Sequence, residues 1–174
     1  RGQNRGKLAG TVSSVVSPMN VESLFSVRYR FADWPCPEVP PVAAGVYLIW
    51  HGVELIYCGM SGRDLAGAHS RRIQRYGLYT RLASHAVGRL SGDQFCVYVA
   101  NRLIVPELID KGDGRDIAGF KNGTMKLDSL TRDYIARNFE YQFAVVETSR
   151  AAFDLEKVCR SGGIRGLLPV LNPS

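Results

Sequence analysis

The chain has 174 residues, of which 45% are hydrophobic, and its formal net charge is +6. This length and composition predict one globular domain that buries a core without disulfide or metal staples. No apolar run approaches the roughly eighteen residues of a membrane-spanning helix, and the basic start RGQNRGK does not resemble a signal peptide, so no membrane association is expected.

Cysteine usage bears on the compartment in which the chain works. The four cysteines form no CxxC pair and are widely spaced, at positions 36, 58, 96 and 159. This spacing disfavours a zinc site. Because nothing indicates an oxidising compartment, we expect reduced thiols and a cytoplasmic protein.

The first 44 residues are predicted to form an arm and a connector that precede the main domain. Residues 1–20 are rich in glycine, serine and basic residues without a period, which is typical of a loose arm. Residues 21–32 are apolar enough to pack as a strand or a short helix. The stretch DWPCPEVPPVAAG contains four prolines, and it is therefore predicted to be an extended connector.

A β-hairpin is predicted over GVYLIWHGVELIYCG, residues 45–59. Two apolar runs flank a turn near His51-Gly52, and each run contains a tyrosine. The hairpin would bring Tyr47 and Tyr57 side by side. The plainest interpretation is a core hairpin with two half-buried tyrosines.

A helix is predicted over residues 78–90, after a glycine-bracketed loop at Met60-Ser61-Gly62. Apolar residues recur at four-residue spacing along one face of this helix, as in an amphipathic helix. Arg81, Ser84, His85 and Arg89 occupy the opposite face.

The rest of the chain alternates strands and helices around a long insertion. Residues 94–100 are predicted to be a buried strand, and residues 101–139 an insertion with a short helix at LTRDYIARN. Residues 140–147 are predicted to be a strand, followed by a helix that Thr148 or Ser149 caps and that ends near Arg160. This order predicts an α+β domain with a small, mostly antiparallel sheet of three or four strands flanked by helices.

Positive charge is concentrated in one segment. Between positions 63 and 89 lie six arginines and one acid, Asp64, which gives a local charge of +5. Arginine suits forked contacts with phosphate oxygens, so the segment indicates a polyanionic partner, most often a nucleic acid. The alternative is a solvated basic helix face without a partner.

Two triplets in the hairpin carry a family resemblance. Gly45-Val46-Tyr47 and Tyr57-Cys58-Gly59 resemble the signature of the GIY-YIG nucleases, with valine and cysteine in place of two isoleucines. Four further residues follow in the order of that family: Arg81 and His85 in GLYTRLASH, Glu156 in AAFDLEKVC, and Asn172 in LPVLNP. The histidine resembles the restriction-endonuclease branch. The resemblance covers about 45–100 and 140–173, which places the nuclease-like domain at 45–174 with its insertion at about 101–139.

The resemblance implies a metal-dependent DNA endonuclease with a defined set of roles. Arg81 would clamp the scissile phosphate. Glu156 would ligate one Mg²⁺, with Mn²⁺ as a substitute, and no nucleotide cofactor is expected. Tyr57 would hydrogen-bond the water or the phosphate, Asn172 would orient that network, and Gly59 would keep the rim clear for the phosphate.

The proton acceptor has two candidates, Tyr47 and His85. A tyrosine with a pKa of about 10 is a poor base at neutral pH and needs a neighbour that relays the proton. His85 follows Arg81 by four residues on the same helix face and is placed to be that neighbour. DNA contacts are expected from the remaining arginines, Arg63, Arg71, Arg72, Arg75 and Arg89.

Several functions share these features. The first is a restriction-type, site-specific endonuclease, for which cutting both strands would require two active sites and hence a homodimer on DNA. The second is the nuclease domain of a larger repair, mobile-element or toxin protein. The third is a nucleic-acid-binding module without catalysis. Each residue taken alone also has a simpler interpretation, as a core tyrosine, a surface arginine or histidine, a helix-face carboxylate or a turn asparagine.

Overall fold

The computed structural model describes residues 21–111 and 115–172, so the arm predicted over residues 1–20 lies outside the described residues. The described part contains five strands and seven α-helices, and the predicted α+β class is confirmed. The strands are β1 (Tyr29–Arg30), β2 (Val42–His51), β3 (Glu54–Ser61), β4 (Tyr76–Gly77) and β5 (Glu140–Val146). The helices are α1 (Leu65–Ser70), α2 (Leu78–Val87), α3 (Gln94–Val99), α4 (Val105–Lys111), α5 (Arg115–Asn122), α6 (Leu127–Asn138) and α7 (Ser149–Val158).

One sheet organises the molecule, in the order β1-β5-β2-β3 with every pair antiparallel. The short strand β4 pairs in parallel with the start of β2. The predicted hairpin is formed by β2 and β3, in a register that sets Ile49 opposite Tyr57 and Tyr47 opposite Gly59. Strand β3 continues to Ser61, so Met60 and Ser61 belong to a strand and not to the predicted loop.

The central strand β2 is buried on both faces, because side chains alternate along it between two cores. Tyr47 and Ile49 pack in one core with residues of α2, α3 and α6. Val46, Leu48 and Trp50 pack in the other core, which includes Ala152 of α7. Helices therefore cover both faces of the sheet.

Residues 94–100, predicted to be a strand, are helical, and that prediction was wrong. The buried side chains are Phe95, Cys96, Val99 and Ala100, which share one face of a helix. The Asp93 side chain accepts a hydrogen bond from the Cys96 amide and caps the helix. A short apolar run is compatible with a buried strand and with a buried helix. In this chain the Asp93 cap favours the helix.

The segment predicted as an insertion, 101–139, is largely helical where the structure describes it. A π-helical stretch at Ala100–Ile104 leads from α3 into α4, and the Val105 amide donates to the Ala100 carbonyl. Pro106, next in the chain, has no amide to donate, so the helical ladder changes register there. The glycine-rich run was expected to break regular structure, yet α5 occupies Arg115–Asn122.

Residues 21–44, which hold the predicted packing segment and the connector, belong to the folded body. β1 pairs with β5, and Phe31, Cys36 and Val39 are buried. All four cysteines are free, buried thiols. Among the described helices none is both long and apolar enough to cross a bilayer.

Two helix ends fix the elements that carry the candidate site. α2 ends at Val87 rather than at the predicted residue 90, because Gly88 adopts a left-handed conformation with φ of 70°. α7 spans Ser149–Val158, and of the two predicted caps Thr148 is its N-cap.

Removing this cap should destabilise the fold. The Thr148 hydroxyl accepts a hydrogen bond of 3.1 Å from the Ala151 amide. Thr148→Ala removes that acceptor, and we expect the free energy of unfolding in urea to fall by about 1 kcal/mol. Thr148→Ser keeps the hydroxyl and should lie close to the wild type. An equal loss in the two variants would show that the capping bond does not contribute.

Candidate active site

The Tyr47 ring lies across the glycine opposite it in the hairpin. A Cβ atom built on Gly59 would stand 2.3 Å from the Tyr47 hydroxyl oxygen and 2.6 Å from Tyr47 Cζ. No side chain fits there, which explains the glycine. Gly59 was expected to keep the rim clear for a phosphate. It lines the cleft, and the Tyr47 hydroxyl occupies the position that a side chain would take.

A buried chain of hydrogen bonds runs inward from that hydroxyl. Tyr47 Oη lies 2.9 Å from His85 Nε2, and His85 Nδ1 lies 2.7 Å from Asp93 Oδ2. Tyr47, His85 and Asp93 are each only 2% exposed. Tyr47 and His85 are thus equally buried, and the hydrogen bond between them links the hairpin to α2.

Asp93 determines the direction of these hydrogen bonds. Burial opposes its ionisation, but hydrogen bonding and the positive charge of His85, together with the Ser84 hydroxyl and the Cys96 amide, lower the pKa of Asp93 to about 2. The carboxylate is thus ionised at neutral pH and accepts the proton of His85 Nδ1. In the neutral imidazole Nε2 is then an acceptor, to which the Tyr47 hydroxyl donates.

Both tyrosines are held in their protonated form. Burial raises the pKa of Tyr47 well above its usual value of 10, and the nearby Tyr57 adds to this effect. Burial, followed by the negative charges of Glu156 and Asp93, raises the pKa of Tyr57 to about 12. Neither hydroxyl is a ready base by itself.

These groups open on a cleft of about 400 Å³. Its walls come from β2, β3, α2, α3 and α7, and it brings together five predicted site residues, Tyr47, Tyr57, Arg81, His85 and Glu156, together with Arg63. Arg63 and Arg81 are exposed, and neither forms an ion pair with another of the residues the structure describes. Burial raises the pKa of Glu156, while the charges of Arg160 and Arg63 oppose that rise.

Two further clefts adjoin this one and extend it into a groove. The first, of about 450 Å³, shares Arg63 and Arg81 with the central cleft and adds the polar side chains of Ser61 and Thr80. The second, of about 510 Å³, shares Phe153, Glu156 and Arg160 and adds Leu168 and Pro169. The groove is thus cationic and polar at one end and largely apolar at the other.

Asn172 lies beside the network and not within it. Its Oδ1 accepts from the Cys58 amide at 2.7 Å, and its Nδ2 donates to the Cys58 carbonyl at 2.9 Å. Both polar groups are engaged with the backbone next to Tyr57. Asn172 was predicted to orient the network around Tyr57, and its side chain holds the C-terminal segment against β3 at the residue next to Tyr57.

The remaining predicted DNA-binding arginines lie outside the cleft. Arg71 pairs with Asp64 at 2.5 Å, and the Arg75 guanidinium lies 4.7 Å from the centre of the Tyr79 ring. Arg72 and Arg89 are exposed. All four therefore present charge to solvent on the surface near α1 and α2.

Two groups of side chains have ligand atoms suited to a metal ion. Glu156 offers a carboxylate at the cleft, and one carboxylate together with substrate phosphate and water is a common environment for Mg²⁺. His85, Asp93 and Cys96 place their ligand atoms within 4.8 Å of one another, but all three residues are buried, and His85 and Asp93 hydrogen-bond each other. The mixed sulfur and nitrogen set does not suit Mg²⁺. Glu156 is therefore the residue that fits the expected ion.

Asp93 is the functional candidate that sequence reasoning missed. A signal was present, because an aspartate directly before an apolar run is typical of a helix N-cap. Interpreting residues 94–100 as a strand concealed it. The cleft residues Phe153 and Arg160 were also missed, since nothing local distinguishes them from surface residues of a helix.

Comparison of the chain with protein-family models, curated proteins and solved structures finds no match in any of the three. The interpretation of the cleft therefore depends on its own residues.

The ionised state of Asp93 should make its contribution to stability depend on pH. Because the pKa of Asp93 is lower in the folded state, its ionisation stabilises the fold. This stabilisation is complete above the unfolded pKa of about 4 and is lost as pH falls through about 2. We expect Asp93→Asn to lower the free energy of unfolding by about 2 kcal/mol at pH 7, and about half of that difference to vanish by pH 3.

Chemical denaturation of both proteins at pH 7, 5, 4 and 3 measures this difference. Groups that do not interact with Asp93 titrate alike in both proteins and cancel. His85, which contacts Asp93, does not cancel, so the comparison is made over the acidic points from pH 5 to pH 3. A difference that stays constant from pH 5 to pH 3 would contradict an ionised, hydrogen-bonded Asp93.

Proposed function

We propose that the chain is a metal-dependent endonuclease of the GIY-YIG type that hydrolyses phosphodiester bonds in DNA, and specifically a restriction-type, site-specific enzyme. The observation that carries the proposal is the buried Tyr47–His85–Asp93 hydrogen-bond chain, which ends at a cleft containing arginines and a carboxylate. Cleavage of both strands requires two such sites, so we further propose that two copies act together on DNA.

His85 is the final acceptor of the proton in this proposal. Attack of water on phosphorus releases a proton, which passes to Tyr47 Oη as the Tyr47 proton moves to His85 Nε2. This concerted transfer suits a tyrosine whose raised pKa prevents it from ionising alone. The ionised Asp93 stabilises the imidazolium, as in triad-type sites. The leaving oxygen takes its proton from solvent.

The cationic wall of the cleft supplies the charge that the phosphate needs. The guanidiniums of Arg81 and Arg63 are placed to pair with phosphate oxygens, and Arg81 lies on α2 one turn before His85. Glu156 would hold Mg²⁺, which when bound offsets charge on the phosphate and on the leaving oxygen. The Tyr57 hydroxyl, kept protonated, donates to the water or to the phosphate.

Cleavage should require Glu156 and a divalent cation. Supercoiled plasmid is incubated with Mg²⁺ or with EDTA, beside Glu156→Gln, and we expect cleavage by the wild type in Mg²⁺ alone. Asp154→Asn is the matched control, because Asp154 lies on the same helix in an exposed pair with Arg150, outside the cleft. This control should cut as the wild type does.

The products of that digestion separate the candidate functions. Discrete linear bands support the site-specific enzyme. Nicking or a smear that needs metal keeps the nuclease and favours a repair, mobile-element or toxin domain. Salt-sensitive binding without cleavage in any metal would reject catalysis and leave a binding module.

Removing the proton acceptor should reduce the rate without reducing binding. We expect His85→Ala to slow cleavage by about 10²- to 10⁴-fold, the usual contribution of a general base. Binding to DNA in EDTA should stay close to that of the wild type, because His85 is only 2% exposed and the cations of the cleft, Arg63 and Arg81, are unchanged. His51→Ala, an exposed histidine at the far end of the hairpin, serves as the control. Wild-type rates in His85→Ala would exclude the relay.

A further inference from the structure

We infer that the apolar cleft beside Glu156 is a nucleobase subsite, which holds an unpaired base of the nucleic acid outside the duplex stack. This inference rests on the proposed function, since it takes the central cleft as the position of the scissile phosphate. It adds a ligand class, an unstacked base, and a role for Phe153 and Leu168, which none of the catalytic roles uses.

The pocket has the size and lining of a ligand site. Its volume of about 510 Å³ falls within the usual range for small-molecule pockets. Phe153 is 50% exposed and Leu168 is 66% exposed, so two large apolar side chains face solvent at its wall. Exposed aromatic rings are the surfaces on which proteins stack unpaired bases.

The position of the pocket restricts what can occupy it. Phe153, Glu156 and Arg160 line both this cleft and the central one, so an occupant would be the immediate neighbour of a group bound at Glu156. Along a nucleic-acid strand, the apolar group nearest a phosphate is the base of the adjoining nucleotide. A stacked base within a duplex is not available to such a pocket, so the base has to be extruded or already unpaired.

Charge around the pocket fits the same occupant. Lys157 and Arg160 border the apolar surface, and the opposite end of the groove carries Arg63 and Arg81. A nucleotide has an apolar aromatic base next to an anionic phosphate. The groove has an apolar surface for the base next to cationic side chains for the phosphate. A purely apolar ligand would have no use for the flanking cations.

The inference is tested by binding in EDTA, where no cleavage is needed. A labelled duplex with a single bulged nucleotide is compared with the same duplex whose bulged residue is abasic. The two DNAs share the same backbone charge and the same flanking sequence, and they differ by the presence of the bulged base. We expect the wild type to bind the base-bearing bulge about 5- to 150-fold more tightly, the range that base stacking on one aromatic provides.

Two variants assign the preference to the pocket. Phe153→Ala should bind both DNAs alike, at the affinity of the wild type for the abasic bulge, whereas Phe153→Tyr keeps the aromatic face and should keep the preference. Equal binding of the two DNAs by the wild type would overturn the inference. A preference that survives in Phe153→Ala would also overturn it, because the base would then be held elsewhere.

Failure of the nuclease proposal gives a different pattern. If plasmid is never cut but the base preference is present and depends on Phe153, the subsite stands in a binding module. If plasmid is cut in a Glu156-dependent way while the two bulged DNAs bind equally, the nuclease stands and the subsite is rejected.

Discussion

The hydrogen bond between Tyr47 Oη and His85 Nε2 is the interaction on which the rest of the site depends. It joins the central strand of the sheet to α2, and both partners are almost completely buried. A buried polar group without a partner is costly, so each member of the chain must be satisfied by the next. Asp93 completes the chain by accepting from His85, Ser84 and the Cys96 amide. The network is therefore satisfied from the cleft to the core.

The hydrogen-bond chain explains several residues that are otherwise unrelated. Gly59 is small because the Tyr47 ring occupies the space in which a side chain would stand. Gly88 ends α2 directly after the turn that carries His85, and a Cβ atom there would lie 2.3 Å from the Arg132 amide nitrogen of α6. Helices α3 and α6 pack against the same core as α2. A segment that looked peripheral in the sequence thus supports the site.

The sequence predicted those elements whose local pattern and end signals agree. The hairpin, α2, β5 and α7 follow from alternation, helical spacing, and the Thr148 cap. The prediction was wrong at α3, because a short apolar run fits a strand equally well. The role of Asp93 as the cap of α3 was missed for the same reason. The sequence also did not predict contacts between residues that are distant in the chain. The Asn172 amide hydrogen-bonds the Cys58 backbone 114 residues away, and no local pattern encodes that pairing. The sequence predicted most residues that share the cleft and predicted His85 as the neighbour of Tyr47, but it did not predict Asp93 at the inner end of the hydrogen-bond chain.

In the proposed mechanism a protonated Tyr47 stands between the attacking water and the buried His85. The most direct test is the protonation of the two His85 ring nitrogens, observed through ¹⁵N and ¹H NMR of the labelled protein at mildly alkaline pH. The account predicts a neutral ring with its proton on Nδ1, donated to Asp93, and a bare Nε2 that accepts from Tyr47. A neutral ring protonated at Nε2 would contradict it, because His85 could not then receive the Tyr47 proton.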